Sequence, residues 1–192
     1  MSVEPFPTWL VPPHKGFVAE DLDRLPGLPP HTEMIDGSLV LVTPQALFHM
    51  SMISLLEYAL RTAASAEFRV RREMTVTLAP RQRPEPDLMI TRATGDRGFD
   101  QTDYRPEDVA LVIEVVSPES RERDKNRKPS LYAEAGILHF WLVEKIEGKA
   151  AVSVYELVPD TQAYKLTGTY HDRLELTMPF PIDIDLTKID RF

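Results

Sequence analysis

The chain contains no cysteine, which excludes disulfides and thiolate metal sites and agrees with a reducing compartment. It has no stretch of about 18 consecutive apolar residues, and the opening MSVEPFPTWLVPP has neither the basic start nor the apolar core of a signal peptide, so a soluble, cytoplasmic protein is expected. No glycine-rich phosphate loop, internal repeat or low-complexity tract is present. The histidines, His14, His31, His49, His139 and His171, form no HExxH-like pair, so a zinc site is not expected and any metal would be oxygen-bound. With 192 residues and a net charge of −8, the chain reads as one domain with short arms, unsuited to coating nucleic acid nonspecifically. Local charge differs: Arg69, Arg71, Arg72, Arg81 and Arg83 face only Glu73 in their stretch, and bases outnumber acids from Glu119 to Lys128. These two stretches are expected to flank one positive cleft.

The most informative run is VALVIEVVSPESRERDKNRK, residues 109–128. Seven of its first eight residues are apolar and mostly β-branched, as in a strand buried on both faces, and Glu114 interrupts them. An ionised carboxylate there requires a cation, a metal or a donor network. It could instead be the ion-pair partner of a following arginine or stand at an exposed strand tip, but perturbed acids in clefts are concentrated at working sites.

Residues 1–30, with seven prolines, read as an extended arm with one helical turn near Glu20, Asp21 and Asp23. HTEMIDGSLVLVTP alternates around Asp36-Gly37, predicting a hairpin over 32–35 and 38–42 with Glu33 on its first strand. The following helix aligns His49, Ile53, Leu56, Leu60 and Ala63 on one face. His49 is then either a core histidine bonded to a backbone carbonyl, the commoner arrangement, or a donor lining a site. Residues 67–78 predict one or two strands, and Pro86 to Ile90 a short buried strand with Asp87 at its entrance, where an aspartate can also simply cap a turn. Thr91 to Asp108 reads as a long surface loop.

After Ser117-Pro118 the pattern predicts a helix over Asp124 to Ala135, stopped by Gly136, with its regular part starting near Arg127 because Pro129 is tolerated only in a first turn. Lys128, Leu131, Tyr132 and Ala135 share a face. Lys128 thus either points inward to the strand ends or pairs with Asp124 four residues back. LHFWLVE completes a strand, helix, strand unit, residues 150–158 and 162–169 form a hairpin, and the acidic tail MPFPIDIDLTKIDRF forms an edge strand and turn.

Asp87, Glu114 and Lys128 therefore fall near the ends of consecutive buried elements. Two carboxylates can hold magnesium, and a neighbouring lysine can orient a water and stabilise a pentavalent phosphorus. The order of elements, with Pro86-Asp87 and then Glu114-x-Val116, resembles the PD-(D/E)xK nuclease superfamily. EMIDGSLVLVTP, RPEPDLMI and VIEVVSPESRERDKNRKPSLYAEAGILHFWLVE more closely resemble the Uma-two family, grouped with restriction endonucleases. The resemblance implies an α/β, restriction-endonuclease-like mixed central sheet flanked by helices, with an N-terminal hairpin and a C-terminal hairpin, in a single nuclease-like domain over 31–192. It implies phosphodiester hydrolysis with Mg2+ or Mn2+ on nucleic acid, DNA first, with a homodimer where both strands of a duplex are cut. Its catalytic residues would be Asp87, Glu114 and Lys128, with metal on Asp87 and Glu114 and auxiliary roles for Glu33, His49 and Asp124. Val116 stands at the lysine position of the superfamily motif, and the resemblance displaces that lysine to Lys128.

Two other classes are open. One is a nucleic-acid or protein binding module that keeps the scaffold without turnover, favoured by the acidic charge and Val116. The other is a hydrolase using Ser51 or Ser117 with His49, which lacks a nucleophile elbow.

Overall fold

The computed structural model describes residue 7 and residues 11–192. The proline-rich arm expected over residues 1–30 therefore lies partly outside the described residues. Within it, Phe17 and Ala19 are buried and Asp21–Arg24 forms a single helical turn, α1.

The hairpin β1 (Glu33–Ile35) and β2 (Ser38–Val40) turns at Asp36 and Gly37, both with positive φ, as a tight two-residue connection requires. Helix α2 (Leu47–Ala63) follows, and its apolar face is buried through His49, Ile53, Leu56 and Leu60, with Ala63 exposed at its end. Next come β3 (Phe68–Arg72), the short β4 (Thr75–Val76) and β5 (Leu88–Arg92). The expected surface loop over Thr91 to Asp108 is instead partly ordered: it holds two 3-10 turns and β6 (Asp103–Tyr104), parallel to β4. Tyr104 is buried there, its hydroxyl bonded to Asp96 and Arg71. A two-residue strand held by distant partners leaves no period in the sequence to read.

Strand β7 (Val109–Val115) is buried along its whole length. The helix after it starts earlier than the proline rule predicts, with helical backbone already at Arg121 and a π-helical turn over Arg123–Arg127 leading into α3 (Lys128–Glu134). A widened turn accommodates Pro129, which lacks the N–H for regular bonding and would crowd a normal preceding turn. Strand β8 (His139–Ile146) returns parallel to β7, and β9 (Lys149–Val158) and β10 (Ala163–Tyr170) form the expected hairpin. The tail does not join the main sheet. Its β12 (Ile182–Asp185) pairs with β11 (Arg173–Leu176) as a separate ribbon against α2.

The main sheet is mixed and six-stranded, in the order β10-β9-β8-β7-β5-β3. Alternating side chains feed two cores: Leu88 and Ile113 pack on the α2 side, Met89 and Val112 on the side of Tyr132 in α3. Arg83 fastens the N-terminal segment to this body. Its buried guanidinium donates to Thr75 Oγ1 at 2.9 Å, the Ala19 carbonyl at 3.0 Å, Thr102 Oγ1 at 3.1 Å and Asp23 at 2.6 and 3.0 Å. Because Asp23 is half-exposed, its charge is partly screened, so Arg83→Ala is expected to cost about 2 kcal/mol, below the usual loss for a fully buried pair. Urea denaturation measures this, and an unchanged midpoint would show that the network adds no stability.

Candidate active site

The antiparallel register of β5 on β7 pairs Leu88 with Ile113, and Asp87 and Glu114 each lie one step beyond that pair. Asp87 stands at the mouth of β5 and Glu114 near the end of β7, so both reach the same cleft, of about 380 Å³. Glu33 on β1, His49 in the first turn of α2, Asp124 in the π turn and Lys128 at the start of α3 line the same cleft. The structure thus brings together all six residues singled out from the sequence.

Lys128 lies at the centre. Its Nζ is 2.9 Å from Glu33 Oε2, 3.2 Å from both oxygens of Glu114 and 3.5 Å from Asp124 Oδ1. Glu33, Glu114, Asp124 and Lys128 are each no more than 3% exposed. The two readings of Lys128 therefore merge, because it points inward to the strand ends and meets Asp124 on the way. Glu114 also accepts a hydrogen bond from the Tyr132 hydroxyl at 2.6 Å. Asp87 Oδ2 accepts from the Val115 N–H at 2.6 Å, and its Oδ1 is 3.1 Å from His49 Nε2. His49 is therefore not the core histidine bonded to a carbonyl, and among the described residues its buried Nδ1 has no partner.

These contacts set the charges. Burial pushes Glu114 well above the usual carboxylate range, opposed by Lys128 and reinforced by Asp124, Asp87 and Glu33. Burial works against the Lys128 ammonium, but Glu114, Glu33 and Asp124 outweigh it and hold its pKa well above the ordinary value. Burial together with the charge of Glu114 raises Tyr132, so its hydroxyl stays protonated and donates. Burial lifts Asp124 to about 6 against the pull of Lys128.

The expected positive cleft is not formed. Seven carboxylates line it, Glu33, Glu73, Glu85, Asp87, Glu114, Glu119 and Asp124, against Lys128 and Arg123, and Arg123 is paired with Glu119. Most of the basic side chains of these stretches are paired with acids, Arg69 and Arg71 with Asp96, Arg72 with Glu73, Arg83 with Asp23 and Arg127 with Asp36. Such a cleft attracts cations. The serine hydrolase reading also fails on geometry: Ser51 donates to the Phe192 carbonyl, Ser117 is bonded to Ser120, and His49 Nε2 is engaged by Asp87.

The donor set suits a hard divalent cation. Three buried carboxylates share one ammonium, the partly exposed Asp87 lines the same cleft, and Asp124 Oδ1 is buried without a hydrogen-bond partner among the described residues. No three His, Asp or Glu among the described residues already stand in metal-holding geometry, since the ammonium draws Glu33, Glu114 and Asp124 around itself. Tyr132 was missed as a polar participant from sequence. The signal was its i, i+4 spacing from Lys128, read only as an apolar face.

A family model described as "Uma2: Putative restriction endonuclease" matches residues 19–188. The chain belongs to the Uma2 family. In fold it is similar to a crystal structure described as a putative nuclease belonging to DUF820 from Anabaena variabilis ATCC 29413, with a TM-score of 0.60 and 16% identity over 90% of this chain and 97% of that one. This places the Uma2 chain in an α/β fold of restriction-endonuclease type. No curated protein matches it. Among the described residues, no helix of this family member is long and apolar enough to cross a membrane.

Asp124 gives a stability test of the site. Its folded pKa, about 6, exceeds the ordinary aspartate value of 3.8, so the folded state binds more protons between the two. Its stabilising contribution is full below that window and lost as pH rises through 6. In chelator, the stability of the wild type relative to Asp124→Asn should fall by on the order of 2–3 kcal/mol between pH 4 and pH 7. Parallel pH profiles in thermal unfolding would show that Asp124 is not perturbed.

Proposed function

We propose that this Uma2 protein is a metal-dependent endonuclease that hydrolyses phosphodiester bonds of nucleic acid, DNA in the first instance. The observation that carries the reading is that Asp87 and Glu114 open into one cleft, with a buried lysine held by Glu114. Membership of a family described as "Putative restriction endonuclease" supports it, as does the fold shared with a structure described as a "putative nuclease".

In this reading Asp87 and Glu114 hold Mg2+ or Mn2+ through oxygen. A divalent ion supplies there a Lewis acid that lowers the pKa of water and offsets charge on the phosphate. Lys128 orients the attacking water and adds positive charge where the pentavalent phosphorus gains negative charge. Glu33 accepts from the Glu85 N–H at 3.0 Å and so offers Lys128 an anchored partner that remains when Glu114 turns to a cation. Asp124 steadies the ammonium from one helical turn back. The phosphate backbone meets an acidic wall, so divalent cations are needed for substrate to approach as well as for chemistry. Duplex cleavage would use a symmetric pair of chains.

Incubation of the protein with single- and double-stranded DNA and RNA in Mg2+ or Mn2+, beside Glu114→Gln, tests the proposal. Cleavage by the wild type alone is the expected result. Binding with no cleavage of any substrate would favour the non-catalytic module. Lys128→Ala should reduce cleavage by about a hundredfold or more while metal affinity is equal or higher, since a competing cation has been removed. Normal cleavage by Lys128→Ala would leave the ammonium a purely structural charge.

A further inference from the structure

Each of the two carboxylates opposed across β5 and β7 meets a buried ring group, Asp87 in a close ion-pair contact and Glu114 as a hydrogen-bond acceptor, and the two groups come from helices on opposite faces of the sheet. His49 of α2 meets Asp87 Oδ1 at 3.1 Å, while the Val115 N–H takes Oδ2 at 2.6 Å. Tyr132 of α3 donates to Glu114 Oε1 at 2.6 Å. Both ring groups are buried, and Tyr132, with no exposed surface, sits behind Glu114 where no substrate reaches it. His49 Nε2 faces the Asp87 carboxylate, and among the described residues its buried Nδ1 has no partner.

Asp87 precedes its strand, and Glu114 is the penultimate residue of β7, so backbone pairing alone does not set the rotation of either carboxylate. Lys128 does not set it either, because its ammonium is equidistant from both Glu114 oxygens at 3.2 Å. We propose that His49 and Tyr132 are positioning residues that fix the two carboxylates for a divalent cation, Mg2+ or Mn2+, one ring group per ligand. The inference rests on the metal-dependent reading above. Its physical basis is that outer hydrogen bonds orient ligand oxygens and leave a defined lone pair for the ion; their removal weakens metal binding about ten- to a hundredfold.

The test is calorimetric titration of the purified full chain with MnCl2 alone, with thermal unfolding of each variant. Tyr132→Phe removes one hydroxyl and keeps the ring packed, so weakening of Mn2+ binding by about tenfold or more is expected. His49→Leu should weaken it similarly, and His49→Gln, whose amide can donate from nearly the same reach, should recover most of the loss. Recovery by Gln separates positioning from mere core filling. If Tyr132→Phe and His49→Leu bind Mn2+ within about twofold of the wild type, the proposal is overturned even though Glu114→Gln has lost binding. If Glu114→Gln itself binds Mn2+ normally, the metal reading falls and takes this inference with it. Should His49→Leu fail to fold, Tyr132→Phe decides alone.

Discussion

A single ammonium among buried carboxylates is the constraint on which this structure depends. Lys128 approaches Glu33, Glu114 and Asp124 within 3.5 Å, and all four groups are withdrawn from water. Each charge alone would be costly to bury, and only their mutual attraction and the hydrogen bonds from Tyr132 and the Glu85 N–H make the arrangement tenable. The compensation is incomplete, because the acids outnumber the cation and burial still lifts Glu114 and Asp124 above their ordinary range. The proposed metal-dependent reading draws on that residual negative charge. The arrangement is poor as a device for stability alone, since apolar residues of similar volume would fill the space at least as well.

The fold supplies the distances. Antiparallel pairing places Asp87 across from Glu114, and the parallel return of β8 requires a crossover helix over the face where Glu114 points. The π turn before α3 lets Pro129 sit in helical backbone and brings Asp124 and Lys128 to the same side. From the opposite face, the first turn of α2 reaches round the end of the sheet to Asp87. Two layers therefore converge on one pair of carboxylates, and the cleft is built on helix and strand ends whose bodies lie in the two cores.

The sequence by itself determined the elements whose periodicity comes from burial: the hairpin at Asp36-Gly37, the apolar stripe of α2, the unbroken run of β7 and the β9–β10 hairpin. It also marked Glu114, because a lone acid in a β-branched run is an energetic anomaly wherever the strand lies, and Lys128, because 3.6-residue periodicity put it on the buried face of its helix. What only the tertiary structure decided involves partners far apart in the chain. The arginine stretches looked like a phosphate-binding surface, but several of their side chains pair with Asp23, Asp36 and Asp96 and the cleft is acidic, since charge density along a chain does not reveal which charges meet in space. The order within residues 91–108 rests on Tyr104 meeting Asp96 and Arg71, and the early helix on a π turn that no propensity signals. The roles of His49 and Tyr132 depend on contacts a few ångströms long across 38 and 18 residues of sequence, and such contacts exist only once strand register and helix docking have fixed the partners in place.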